Sequence, residues 1–172
     1  TSDITATVEF YKNFFGASAG EPFQRGGADW VEVQVGNIQV TVTNRSGHGF
    51  PTGFPGRVAV LMATGKNAQG EVVWRNIESD PMAESPESVF NKVYVDDAGV
   101  PTLPVFSSAL KRDNRLKPAE ARTLRYEVPA SATAVEVKLV LRLVPPAAHE
   151  KLGLAGSVEA QPRVVTTAVA AR

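Results

Sequence analysis

The sequence predicts an all-β fold, two antiparallel sheets packed face to face, and three observations predict it. Apolar and polar residues alternate in run after run, the pattern of strands with one buried face. The runs are short and separated by Gly, Asn, Asp and Pro turn chemistry. Helical periodicity is scarce. About seven such strands with one-sided alternation make a two-sheet sandwich of immunoglobulin-like or jelly-roll-like form the expected architecture. A chain of 172 residues fits a single domain over positions 1–172, and a domain this size buries roughly 70% of its unfolded surface.

The elements follow in order. Residues 4–15 carry Val8, Phe10, Tyr11, Phe14 and Phe15, a spacing equally compatible with a short amphipathic helix or a strand. Val31, Val33 and Val35 alternate with polar residues, and after Gly36-Asn37 so do Ile38, Val40 and Val42. This reads as a hairpin on a two-residue turn, or as one strand bulged at Gly36. Arg57 to Thr64 and Glu71 to Arg75 form a second antiparallel pair around the turn residues 65–70. Thr123 to Val128 is a shorter strand closed by Pro129. Ala134 to Leu143 is the clearest one, with Val135, Val137, Leu139, Leu141 and Leu143 on one face. Arg163 to Ala168 is placed at a sheet edge, and a single turn near 147–154 is expected to end at Gly153. The expected inward set is Val31, Val33, Val40, Val42, Val58, Val60, Val137, Leu139 and Leu141, because a slip of one residue would expose a whole strand face.

Between the strands, residues 79–118 form a long excursion. Prolines 81, 86, 101, 104 and 118 interrupt any regular element, while Phe90, Val93, Tyr94, Val105, Phe106 and Leu110 supply apolar anchors. That aromatic content predicts a segment packed on the sandwich rather than a disordered linker. Its aspartates offer weak calcium chemistry at Asp96-Asp97-Ala98-Gly99 and Asp113-Asn114. The order of oxygens does not match a calcium loop. A turn at Asp97-Ala98-Gly99, an Asx-turn at Asp113, and carboxylate pairing to Arg112 and Arg115 account for them more simply.

Composition excludes several functions. Lys plus Arg and Asp plus Glu number 18 each, so no net field favours nucleic acid or an anionic membrane. The apolar runs fall far short of the ~20 residues that span a bilayer, and the opening Thr1-Ser2-Asp3 lacks a signal-like pattern. Neither nucleic acid nor membrane insertion is expected. With no cysteine, the chain has no disulfide, no thiol nucleophile and no C-x-x-C-H haem attachment of its own. Nucleophile elbows, paired metal histidines and phosphate-binding glycine loops are also missing, so a non-catalytic role is expected.

One segment stands out chemically. Asn44-Arg45-Ser46-Gly47-His48-Gly49-Phe50-Pro51-Thr52-Gly53 places one of two histidines on a glycine-flanked turn directly after a strand. Flanking glycines remove neighbouring side chains, and Pro51 fixes the exit, so the imidazole is expected on a stiff, open corner. Ser46 reads as turn chemistry and His149, after Pro145-Pro146, as a solvated residue. Trp30, Trp74, Phe50 and Phe54 read as core and corner packing, or as a flat apolar surface for a sugar or a porphyrin.

The order "VTVTNRSGHGFPTG", then "RVAVLMATGKNAQGEVVW", "DNRLKPAEARTLRYEVP" and "VEVKLVLRLVPP" followed by "HEKLGL" resembles the C-terminal β-sandwich domain of multihaem c-type cytochromes, over roughly Val31 to Leu154. The resemblance implies that His48 is an axial ligand to the iron of a neighbouring haem. Phe50, Pro51, Thr52 and Gly53 would form the surrounding cofactor-binding turn. It also implies haem c in a longer parent protein with none attached to this chain, and a haem-bearing cytochrome region or redox protein as partner. A periplasmic or extracellular location is expected with it. Two alternatives stay open: His48 as a structural turn residue, and a carbohydrate- or protein-binding adhesion module that uses residues 79–118 and the aromatics.

Overall fold

The computed structural model describes residues 38–144, 149, 152–154 and 156–171, with the backbone of residues 18–19, 23–25, 28–30, 33–34 and 37. The fold is nearly all β. Four short strands come first: β1 (Ser18–Ala19), β2 (Phe23–Arg25), β3 (Ala28–Trp30) and β4 (Val33–Gln34). β1 pairs with β4 and β2 with β3, both antiparallel. The expected segment 4–15 and the side chains of Val31 and Val33 lie outside the described residues.

Two sheets make the sandwich. β5 (Asn37–Thr43) pairs antiparallel with β12 (Ala121–Glu127), setting Val40 opposite Leu124 and Ile38 opposite Tyr126. Facing them, β6 (Val58–Lys66), β7 (Val72–Arg75), β13 (Ala134–Arg142) and β14 (Arg163–Ala171) run in the order β14-β13-β6-β7, with β8 (Val89–Phe90) also on β6. The β6–β7 hairpin, the two later strands and the edge position of β14 match the pattern read from the sequence. The hairpin at Gly36-Asn37 does not. Strand β5 spends its ladder on β12, more than seventy residues on, while β4 pairs with β1. Turn chemistry names a place to reverse but not the partner, which long-range packing chose.

The core lies between the sheets. Ala59, Leu61 and Ala63 meet Val135 and Leu139 from the neighbouring strand and Leu124, Tyr126 and Val128 from the opposite sheet, with Phe90 and Leu116 sealing the ends. Val40, Val42, Val137 and Leu141 pack against this cluster as expected. Val58 and Val60 do not, because the register sets Leu61 against Leu139 and Ala59 against Leu141. Residues directly opposite share a face, so the small odd residues of β6 look inward. Val60 is buried too, on the other face of the sheet. A strand covered on both sides hides its inward set from any alternation rule.

Residues 79–118 are more regular than their prolines imply. A short helix α1 (Pro81–Glu84) is capped by Asp80, and a 3-10 turn follows at Pro86–Ser88. Strands β10 (Pro101–Thr102), β9 (Lys92–Val95) and β11 (Ala109–Asp113) build a separate three-stranded sheet in that order. Phe90 is fully buried and Tyr94 half-buried, but Phe106 is 71% exposed and Val105 76%. The segment is thus anchored through Phe90 and not through Phe106, which sits on a 3-10 turn at the far end. Asp96 accepts from the backbone of Ala98 and Val100, and Gly99 at φ 77° completes that turn. Near the chain's end, Gly153 has φ 65° and Leu154 N donates to His149 O, closing the expected turn.

Candidate functional site

The His48 turn is built on Asn44, the first residue past β5. Its side chain is 6% exposed and works in both directions. Asn44 Nδ2 donates to His48 O at 2.7 Å and to Lys117 O at 2.9 Å, while Oδ1 accepts from Ser46 N at 3.1 Å and Ser46 Oγ at 2.7 Å. One buried amide thereby ties the turn to itself and to the 114–120 loop. Asn44 N also donates to Glu120 O, and Phe50 and Leu116 exchange both backbone bonds at 2.8 and 2.9 Å. Two stretches about seventy residues apart in sequence form one rigid corner.

That second wall is held by charge. Arg115 clasps Asp113 through Nε and Nη2 at 2.9 and 2.8 Å, and this bidentate bond holds the Asp113 carboxyl below its ordinary range. Arg115 N also donates to Asp113 Oδ1, closing the expected Asx-turn. Arg112 instead reaches Pro86 O at 2.6 Å, so of the two arginines expected to pair with Asp113 only one does. Arg122 bonds Glu120 and the carbonyls of Asn114 and Arg115, and lies over the Phe90 ring at 5.6 Å. The Glu120 carboxyl is lowered, first by the Lys117 N–H and then by Arg122.

His48 itself is exposed. Its Nδ1 faces Ser46 Oγ at 3.2 Å and Gly49 O at 3.4 Å. The Ser46 hydroxyl hydrogen is already engaged by Asn44 Oδ1 or by His48 O, and a carbonyl only accepts. Matching donors to acceptors therefore puts the ring hydrogen on Nδ1. Nε2 has no hydrogen-bond partner among the described residues. Ser46, read from sequence as turn chemistry, is thus also the ring's orienting neighbour, and Asn44 is a site residue that sequence reading missed. Its signal was an Asn at a strand end, a residue type whose side chain bonds nearby backbone.

The rest of the turn is held by packing and by hydrogen bonds. Phe50 is half-buried against the core and Pro51, after a cis peptide bond, is buried. Arg57 donates to Thr52 O at 2.7 Å, and Gly53 takes a left-handed backbone at φ 84°, where a Cβ would lie 2.5 Å from Arg57 Nη1 and push that side chain aside. At Gly47 nothing among the described residues lies within 4 Å of where a Cβ would be. Beside His48, the gap between β5 and β14 is an apolar cleft of about 530 Å³ walled by Val40, Val42, Leu61, Val137 and Leu139. His149 is elsewhere, with Nε2 at 3.1 Å from Val144 O, so it is partnered rather than simply solvated.

The fold and sequence are similar to those of a solved penta-heme cytochrome c552 from Thermochromatium tepidum, at 27% identity and a TM-score of 0.73. The match covers 95% of this chain and 41% of that one, so the chain spans about two fifths of its neighbour's length. No family model matches the sequence, and no curated protein does. Among the described residues there is no group of three His, Asp or Glu side chains able to hold a bare metal ion, and no helix long and apolar enough to cross a membrane. His48 is thus an exposed imidazole with one ring nitrogen unpartnered among the described residues, beside an apolar cleft.

Proposed function

We propose that this chain is the non-catalytic β-sandwich domain of a multihaem c-type cytochrome, C-terminal to the haem-bearing region, with His48 as axial ligand to one of that region's haems. The observation that carries the reading is the placement of the ring. A haem ligand offers one ring nitrogen to the iron and has the other held by a hydrogen bond, and the reading is supported by His48 Nδ1 lying 3.2 Å from Ser46 Oγ while Nε2 has no partner among the described residues. The 27% identity to a penta-heme cytochrome over 95% of this chain supports the same reading.

When bound, the haem iron supplies one-electron redox chemistry. The chain's own residues bind, orient and shield. Ser46 and Gly49 O fix the imidazole rotamer and strengthen its donor nitrogen, and Asn44 holds the turn at a set height over the 114–120 loop. The apolar walls of the cleft beside the ring would meet the apolar faces of a bound haem, and burial of that kind tunes potential. With no cysteine, covalent haem belongs to the rest of the parent protein, whose site of action is the periplasm or the cell exterior. Reading the natural gene upstream of the Thr1 codon tests the assignment. Several C-x-x-C-H motifs are expected, and their absence would favour the adhesion-module reading instead.

A further inference from the structure

A small cavity beside the His48 corner gathers three cations. It has a volume of about 30 Å³ and is walled by Pro51, Phe54 and Pro55, with Arg57, Lys92 and Arg115 supplying the charge. All three cations are half-buried. Their bonds leave them only partly satisfied. Arg57 donates from Nη1 to Thr52 O at 2.7 Å, and its Nε is buried with no hydrogen-bond partner. Arg115 commits Nε and Nη2 to Asp113, which leaves Nη1 unpartnered among the described residues. Lys92 stands opposite Asp113 in the β9–β11 ladder but makes no ion pair among the described residues.

Three positive charges therefore share one carboxylate, and a buried guanidinium N–H without an acceptor costs more than an ordinary unmade bond. The fold nevertheless holds Arg57 in place, with Gly53 leaving room for its guanidinium and Thr52 O anchoring it. What the cavity lacks is an acceptor of negative charge. Its size selects among anions. A volume of about 30 Å³ is two to three times what one water needs, enough for the two oxygens of a carboxylate and too little for a tetrahedral oxyanion. Planar guanidinium groups match the two oxygens of a carboxylate in particular.

We propose that this cavity is a carboxylate-binding site, in which Arg57 Nε and Arg115 Nη1 donate to the anion and Lys92 balances its charge. A bound carboxylate would lock Arg57 to Arg115, and with them the 51–55 turn to the 114–120 loop. Two sources supply this chemistry: a free small carboxylic acid, or the propionate of a haem placed at the corner. Arg115 Nη1 lies 3.5 Å from where a Cβ on Gly49 would sit, so the charge of the cavity borders the residue that follows His48. The second source rests on the reading of His48 as a haem ligand, whereas the site itself does not.

Titration of the full chain with sodium formate at constant ionic strength, followed by proton–nitrogen NMR correlation spectra, tests the site. The Nε–H signals of Arg57 and Arg115 and the Gly53 amide should shift saturably, and sodium sulfate should produce no saturable shift. Lys92→Gln removes a charge that has no other partner among the described residues, and Arg57→Lys keeps the charge but removes Nε. Each should weaken formate binding about tenfold or more, as loss of one charge-assisted interaction does. In the natural full-length protein, a propionate seated in the cavity should block formate, and Lys92→Gln should then shift the propionate bands of one haem in the resonance Raman spectrum without changing its spin state. Formate binding there as in the chain alone would identify the free acid as the ligand. No saturable shift in the chain alone, equal binding of sulfate, or unchanged affinity in the folded Lys92→Gln protein would overturn the proposal, whatever the haem at His48 shows.

Discussion

Replacing Asn44 with alanine should damage the protein far more than replacing the histidine it supports. Asn44 makes four side-chain bonds of 3.1 Å or less, two donated and two accepted. Each such bond contributes about 1 kcal/mol net, and two of the abandoned partners, Ser46 Oγ and His48 O, can turn to water or to each other. The Lys117 carbonyl and the backbone of the 114–120 loop have less recourse. Asn44→Ala should therefore cost about 2–3 kcal/mol, and His48→Ala, an exposed ring with one good hydrogen bond, less than about 1 kcal/mol. Urea unfolding of both variants followed by tryptophan fluorescence reads the difference, with m-values checked for constancy. A cost for Asn44→Ala below about 0.5 kcal/mol would refute the claim that one buried amide holds the corner together.

Leu61→Ala, at the centre of the core opposite Leu139, should cost about 3 kcal/mol in the same assay. Phe106→Ser should change stability by less than about 0.5 kcal/mol, since that ring is 71% exposed. Glu84 accepts from the backbone of Glu78, Ser79 and Asp80, and these bonds with the Ser79 hydroxyl lower its carboxyl from 4.5 to about 2. A depressed carboxyl stabilises the fold fully above the unfolded value and loses that contribution as pH falls toward the folded one. The protection factors of those three amides, exchange rates referred to the intrinsic rate at each pH, should therefore fall between pH 4.5 and about 2, and Glu84→Gln should show lower protection already at neutral pH.

Much of this was legible in the chain. Alternation located β6, β7, β12, β13 and β14, including β14, which is exposed along its whole length at the sheet edge. It misassigned the inward face of β6, since burial on both sides leaves Val60 and Leu61 equally apolar. The Gly36-Asn37 hairpin failed for a related reason: a strand's partner is a non-local fact, and β5 pairs beyond seventy intervening residues. Glycines and Pro51 announced the His48 corner, and the ring is exposed there as expected. Nothing local announced that the Asn114 to Glu120 loop would be its second wall, or that Asn44 would join the two.

The central claim is that His48 ligates haem iron in the parent cytochrome, and low-temperature electron paramagnetic resonance of the natural full-length protein tests it directly. In His48→Ala, one low-spin ferric haem should convert to high spin while the other haem signals and the far-ultraviolet circular dichroism stay as in the unmodified protein. A spectrum with every haem unchanged in a folded His48→Ala protein would contradict the account and leave His48 as a residue of the turn alone.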